Sequence, residues 1–268
     1  MSLTPTWAKQ AAAELLRQHR QGERFAALTV PSPLIDVSSA YAVQEALVRS
    51  KCAELASRSA GYKIALTTPA MQAMVGFEGS ISGQLLACQI QSSGARLQAA
   101  HYGRLALEFE IAFIMKDELP VRAQPWGHDI AEHIAQAVPA LELIDDRQAD
   151  YTALRQDILT LVADNAWNAG LVMGEPIEGA ELSRLDQICG VACIDGVEVG
   201  RGKGSDVLGH PLTALAWLAN HLAARGLSLR RGDIVTTGSL VKSQFPKAGS
   251  QVLFSLEKGA AAVSASIV

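Results

Sequence analysis

The sequence predicts a mixed α/β fold in which a helical N-terminal region precedes a longer β-rich domain. Three observations carry that prediction. Residues 1–60 are rich in Ala, Leu, Gln and Arg, all good helix formers. From residue 61 the texture changes to short alternating or β-branched runs separated by turn signals, which reads as strands. No internal repeat or low-complexity linker interrupts residues 61–268, so they are read as one domain.

Taken in order, residues 7–21 (WAKQAAAELLRQHRQ) predict the first helix. A connector over 29–39 (TVPSPLIDVSS) carries two prolines and the cap candidates Asp36, Ser38 and Ser39. A second helix is expected over 40–57, with Tyr41, Gln44, Glu45, Val48 and Leu55 spaced in turns and Gly61 closing the helical region. Strands are expected over 62–66, 105–115, 140–144 and 171–173. Asp195-Gly196 between two β-prone runs predicts a hairpin over 191–199. Residues 211–225 have proline in the first turn and Gly226 just past the end, as a helix prefers. The tail gives strands over 234–237, 251–256 and 261–268.

With 268 residues, 49% hydrophobic and 19% charged, the chain has material for a packed core and does not have a disordered composition. A net charge of −4, from 23 basic and 27 acidic residues, argues against a nucleic-acid or anionic-membrane surface. No apolar run reaches the ~18–20 residues that span a bilayer. Residues 1–5 lack the basic start and apolar block of a signal peptide. A soluble, cytoplasmic protein is expected. The scattered Cys52, Cys88, Cys189 and Cys193 read as reduced thiols.

Glu108 and Glu110 lie two apart on the expected strand 105–115, so both side chains leave one face, ~7 Å apart. They can converge on a cation, or they can belong to a wet strand face. That face reads Ala106, Glu108, Glu110, Ala112, Ile114, mostly small or apolar, which weakens the wet-face reading but leaves both open, since a solvated face more often carries Lys, Thr or Ser. Glu142 sits in an apolar run, where a carboxylate needs a metal or a partner such as Arg147 or Arg104. Three carboxylates on two strands make an oxygen-rich site suited to Mg²⁺ or Mn²⁺ rather than zinc. Lys63, within a short β-prone run, is either an edge-strand gatekeeper or a proton-transfer group.

These pieces fall into a recognisable order. G-Y-K-I-A-L-T-T (61–68), M-Q (71–72), L-E-F-E-I-A-F (107–113) and P-A-L-E-L-I-D-D-R (139–147) come first. A-D-N-A (163–166), G-H-P-L-T-A-L-A-W-L-A-N (209–220) and T-G-S-L (237–240) follow. Together they resemble the 2-keto-4-pentenoate hydratase/4-oxalocrotonate decarboxylase family, within the fumarylacetoacetate hydrolase superfamily. The likeness runs from about residue 38 to the end of the chain.

The resemblance implies a rolled mixed β-sheet core. It also implies Mg²⁺, or Mn²⁺, held by Glu108, Glu110 and Glu142, with Lys63 as the family lysine and residues 61–268 as the metal-binding catalytic domain. Gln72, Asn165 and Ser239 match pieces of the substrate pocket. The implied reaction is that of a lyase on short 2-oxo-enoic acids, either hydratase or decarboxylase, in a homo-oligomer that can work beside a pathway partner enzyme.

One segment departs from the hydratase pattern. Where that pattern reads G-V-x-x-P-D-Y-G, with an aspartate for proton transfer, this chain has G-F-E-G-S-I-S-G over 76–83. Ile81 takes the aspartate's place among the substrate-contacting positions, which favours the decarboxylase branch. Glu78 is the nearby carboxylate that would substitute as a catalytic group. An acylpyruvate-type hydrolase, which commonly uses a His–Glu pair, is ranked lower because only His101 of the six histidines stands near the metal-site motifs. A non-catalytic, partner-activating subunit and a decayed paralogue that binds metal without turnover are the remaining alternatives.

Overall fold

Helix α1 (Thr6–Gln21) forms where the pattern predicts it, burying Ala8, Ala11, Ala12 and Leu15 along one stripe and ending at Gly22 in the left-handed region. The computed structural model of the protein describes residues 4–29, 34–179, 181–256 and 261–268; residues 30–33, which hold both prolines of the expected connector, lie outside the described residues. Helix α2 (Val37–Glu54) begins three residues earlier than expected. Its cap is Asp36, whose carboxylate accepts from Ser39 N–H at 2.7 Å while Ser39 Oγ takes the Asp36 N–H.

Among the described residues, twelve strands form two sheets. The larger runs in the order β2 (Ile81–Leu86), β1 (Ser59–Ala65), β10 (Ile234–Gln244), β5 (Leu105–Met115), β6 (Ile134–Asp145), β7 (Asn168–Met173), β3 (Ile90–Ser92). The smaller runs β4 (Ala95–Leu97), β12 (Ala261–Ile267), β11 (Gln251–Leu256), β8 (Cys189–Ile194), β9 (Val197–Lys203). The β1–β10, β3–β7 and β4–β12 pairs are parallel and the rest antiparallel. Asp195 and Gly196 both have positive φ, as the expected β8–β9 turn demands. The three remaining α-helices among the described residues are α3 (Pro69–Val75), α4 (Leu154–Ala163) and α5 (Pro211–Ala224).

Strand β5 is buried on both faces, and each face has its own role. Leu105, Leu107, Phe109, Ile111 and Phe113 pack against Phe254 and Val252 of the smaller sheet and Leu212 and Leu215 of α5. On the other face, Ala106 joins Ile144 beneath α1, α2 and α4, while Ala112 joins Leu85, Val138, Ala140 and Leu171. The two glutamates of β5 lie between these apolar clusters. Strand β6 is longer than the expected 140–144 because Pro139 sits inside it. Its carbonyl accepts from Gly174 N–H just past the end of β7, and the proline contributes no N–H on that side.

Two expectations are corrected here. Lys63 is not an edge gatekeeper, because β1 is flanked by β2 and β10 and the lysine is only 2% exposed. Gly61 does not close the helical region. It lies inside β1 with φ +144°, and a Cβ there would stand 1.9 Å from the carbonyl oxygen of Ile234. Gly61→Ala is therefore expected to lower unfolding free energy by ~3 kcal/mol or more, combining strain and overpacking. A chemical denaturation curve within ~1 kcal/mol of the unaltered chain would refute this.

Candidate active site

Antiparallel pairing sets Glu108 of β5 directly opposite Glu142 of β6, with Glu110 one pleat along on the same face. One oxygen from each converges to within 4.8 Å of the others. Glu110 and Glu142 are fully buried, and Glu108 is the half-buried member that opens toward solvent. Each carboxylate is held at one oxygen. Glu110 Oε2 accepts from Gly238 N–H at 2.7 Å, Glu108 Oε1 from Ser243 Oγ at 2.8 Å, and Glu142 Oε1 from Asn168 Nδ2 at 2.9 Å.

Lys63 reaches the same Glu142 oxygen at 3.2 Å. Three strand spacings, ~14 Å in a flat sheet, would part those two backbones. Successive bulges in β10, between Thr236 and Gln244, bend the intervening strand.

Among the described residues, Glu110 Oε1, Glu142 Oε2, Asn168 Oδ1 and Thr236 Oγ1 are buried and have no hydrogen-bond partner. Thr236 sits beside Lys63 on β1 and Ala112 on β5, so its row shares the sheet face of the glutamates. Buried oxygens left without donors are costly unless a cation or its waters satisfy them. An all-oxygen set with two fully buried carboxylates fits a hard divalent ion such as Mg²⁺, Mn²⁺ or Ca²⁺.

The electrostatics agree. Burial, with Glu142 and Glu108 beside it, pushes the Glu110 carboxyl well above the usual carboxylate range, despite the Gly238 N–H and Lys63. Burial also raises Glu142, against the pull of Lys63. For Lys63, burial alone would lower the ammonium, but Glu142, Glu108 and Glu110 outweigh it and hold it above its ordinary value.

A carboxyl raised in the folded state binds its proton more tightly there. It therefore costs stability as pH climbs from the unfolded value, ~4.3, through the raised one. The Lys63 contribution is present below ~10.4 and is lost only beyond its raised value, so the carboxyls govern the neutral range. The metal-free protein should show a falling Tm between pH 5 and 8, and saturating Mg²⁺ or Mn²⁺ should remove that fall. Parallel Tm–pH curves with and without metal would contradict it.

The other expected site residues are placed differently. Ile81 pairs with Ala65 and shares the face of Lys63 one pleat along; it is fully buried in the apolar cluster beneath the N-terminal helices. Glu78 is exposed and lines an outer cleft of about 380 Å³ with Gln72, Phe77 and Arg155. No hydrogen bond ties it to the glutamates. Gln72 donates to the Leu66 carbonyl at 2.9 Å. The Asn165 amide is spent on Gln84, accepting from its N–H at 2.7 Å and donating to its carbonyl at 2.9 Å. Ser239 Oγ accepts from Phe109 N–H and donates to the Val241 carbonyl, filling a bulge between β10 and β5.

The suggested arginine partners of Glu142 are engaged elsewhere, Arg104 with Asp146 and Arg147 with Asp164. Sequence reasoning missed Asn168, Gly238, Ser243 and Thr236. Only Gly238, inside the T-G-S-L piece, carried a signal. At φ +114° and with Thr67 Oγ1 2.2 Å from any Cβ, the position requires glycine.

Fold and site together define a β-rich protein with an acidic, oxygen-lined pocket matched to a divalent cation. The fumarylacetoacetate (FAA) hydrolase C-terminal family matches residues 70–266, and the chain belongs to that family. It is 34% identical over 261 residues to 2-keto-4-pentenoate hydratase 1 of Dechloromonas aromatica (strain RCB), covering 96% of each chain. It is 33% identical over 236 residues to 2-oxo-hept-4-ene-1,7-dioate hydratase of Escherichia coli, covering 86% of this chain and 87% of that one. Among solved structures, 4-oxalocrotonate decarboxylase from Pseudomonas putida G7, complexed with magnesium and adipate, superposes with a TM-score of 0.87. That match has 26% identity and covers 100% of this chain and 99% of the other.

Proposed function

We propose that the protein is a divalent-metal-dependent lyase acting on short 2-oxo-enoic acids, in the manner of a 2-keto-4-pentenoate hydratase. The observation that carries this reading is the set of three converging carboxylates, with buried unpaired oxygens, beside a buried lysine. Glu108, Glu110 and Glu142 would hold Mg²⁺ or Mn²⁺, which when bound supplies Lewis-acid polarisation of a 2-oxo group.

The chain's own groups do the rest. Glu110 and Glu142, each fixed at one oxygen by a donor, keep their second oxygens fixed toward the site. The Lys63 ammonium, charged because of the three glutamates, is a proton donor and a fixed positive charge beside the reacting atoms. Apolar clusters flank the site, and half-buried Glu108 is the carboxylate of the three that reaches solvent. No histidine contacts the carboxylates among the described residues, so the hydrolase reading has no support here.

A second reading, decarboxylation at the same site, is favoured by Ile81. An alkyl group on the Lys63 face, where the hydratase pattern has an aspartate, removes a proton carrier that hydration uses and loss of CO₂ does not require. The similarity to hydratases at 33–34% identity keeps hydration first. The reading places the site in residues 61–268, with helices α1 and α2 before it, in a cytoplasmic homo-oligomer serving aromatic catabolism, with or without a pathway partner enzyme. Among the described residues no helix is long and apolar enough to cross a membrane.

The test is consumption of 2-hydroxypenta-2,4-dienoate and of 4-oxalocrotonate by purified protein with and without Mg²⁺, following water addition and CO₂ release separately. Metal-dependent hydration supports the first reading. CO₂ release without hydration supports the second, and no turnover of either rejects both.

A further inference from the structure

Three consecutive non-glycine residues, Asn165 (φ 57°), Ala166 (φ 47°) and Trp167 (φ 58°), adopt the left-handed conformation, and all three are buried. L-residues visit this region rarely and mostly singly, so a full left-handed turn persists only where its surroundings over-determine it. Here they do. The buried Asp164 carboxylate takes His19 Nε2 from α1 at 2.5 Å on one oxygen and Arg147 Nη2 at 2.5 Å on the other. The Asn165 amide closes a two-bond clamp on Gln84 of β2. Trp167 packs edge-on against Phe25, with ring centroids 4.9 Å apart.

The next residue after the turn is Asn168, which is buried and donates to Glu142 Oε1. That oxygen also receives Lys63, so both donors act on one side of the carboxylate and Oε2 stays free. We propose that the left-handed turn, anchored to the first helix through His19 and Asp164, is a positioning device that delivers Asn168 to Glu142 and so fixes the third carboxylate for the cation. The inference rests on the metal-centre reading above. It goes beyond that reading by making an N-terminal helix, outside the family-matched residues 70–266, part of the site's support.

The test is Mn²⁺ binding by the full chain, measured by calorimetry without substrate, alongside the metal-free melting temperature. Asn168→Ala is expected to weaken Mn²⁺ binding about 10–100-fold, the usual loss when a ligand's orienting partner is removed. His19→Ala, at a half-buried position 145 residues before Asp164 in sequence, is expected to weaken it about two- to tenfold. In the double variant the His19 effect should vanish, because the anchor acts through Asn168. Full additivity, or unaltered-chain affinity in either single variant, overturns the proposal alone. Failure of the unaltered chain to bind Mn²⁺ overturns the metal-centre reading and this one with it.

Discussion

Glu110→Gln is expected to lower divalent-metal affinity by at least ~100-fold and turnover by ~10³-fold or more. Loss of an orienting partner alone costs 10–100-fold, and here a charged ligand itself is lost. Glutamine keeps the shape of Glu110 and can still accept the Gly238 N–H through its carbonyl. Its NH₂ would then occupy the place of the unpaired Oε1 and turn a donor toward the cation.

The same substitution should stabilise the metal-free protein near neutral pH. It removes a carboxyl that burial and two neighbouring glutamates push well above its ordinary range. A variant that loses metal but gains Tm separates a site built against its own stability from a general packing position. Calorimetric titration with Mn²⁺ and a thermal melt in chelator read the two effects. Retention of full metal affinity would remove Glu110 from the ligand set.

The parts of the site visible in the sequence were those set by periodicity. A two-residue spacing on an alternating strand puts Glu108 and Glu110 on one face whatever the sheet does. Glu142 was suspect because leucines flank it and a lone carboxylate there is costly. Register was not visible, since nothing local says that Glu142 pairs opposite Glu108 rather than a residue away. Nor was the company of Lys63, since a short β-prone run reads the same at an edge or between two strands. Residues whose role depends on backbone direction also stayed hidden. Asn168 reaches Glu142 only because three residues before it turn left-handed, and Asn165 and Ser239, which looked like pocket residues, spend their polar groups on backbone. The short elements β2, β3, β4, α3 and α4 went unpredicted because three to ten residues carry too little periodicity to separate helix from strand.

Lys63→Met tests the other half of the site. Methionine preserves most of the buried stem of Lys63 and removes only its charge and donors. Glu142 would keep Asn168 as its donor, and the three carboxylates would keep their register, so a divalent ion should still bind, within ~10-fold of the unaltered affinity. Turnover should nevertheless fall by ~10²–10⁴-fold, the usual contribution of a positioned proton-transfer group. Without metal the variant has lost the ammonium of Lys63 that pairs with buried Glu142, and removing one partner of a buried pair costs ~3–5 kcal/mol. Saturating Mg²⁺ should recover most of that stability, because the ion neutralises the same carboxylate through its free oxygen, while turnover stays low. Stability and activity would then part company on metal addition, which a merely structural lysine would not produce. Recovery of turnover together with Tm would show that Lys63 only holds Glu142 in place and moves no proton.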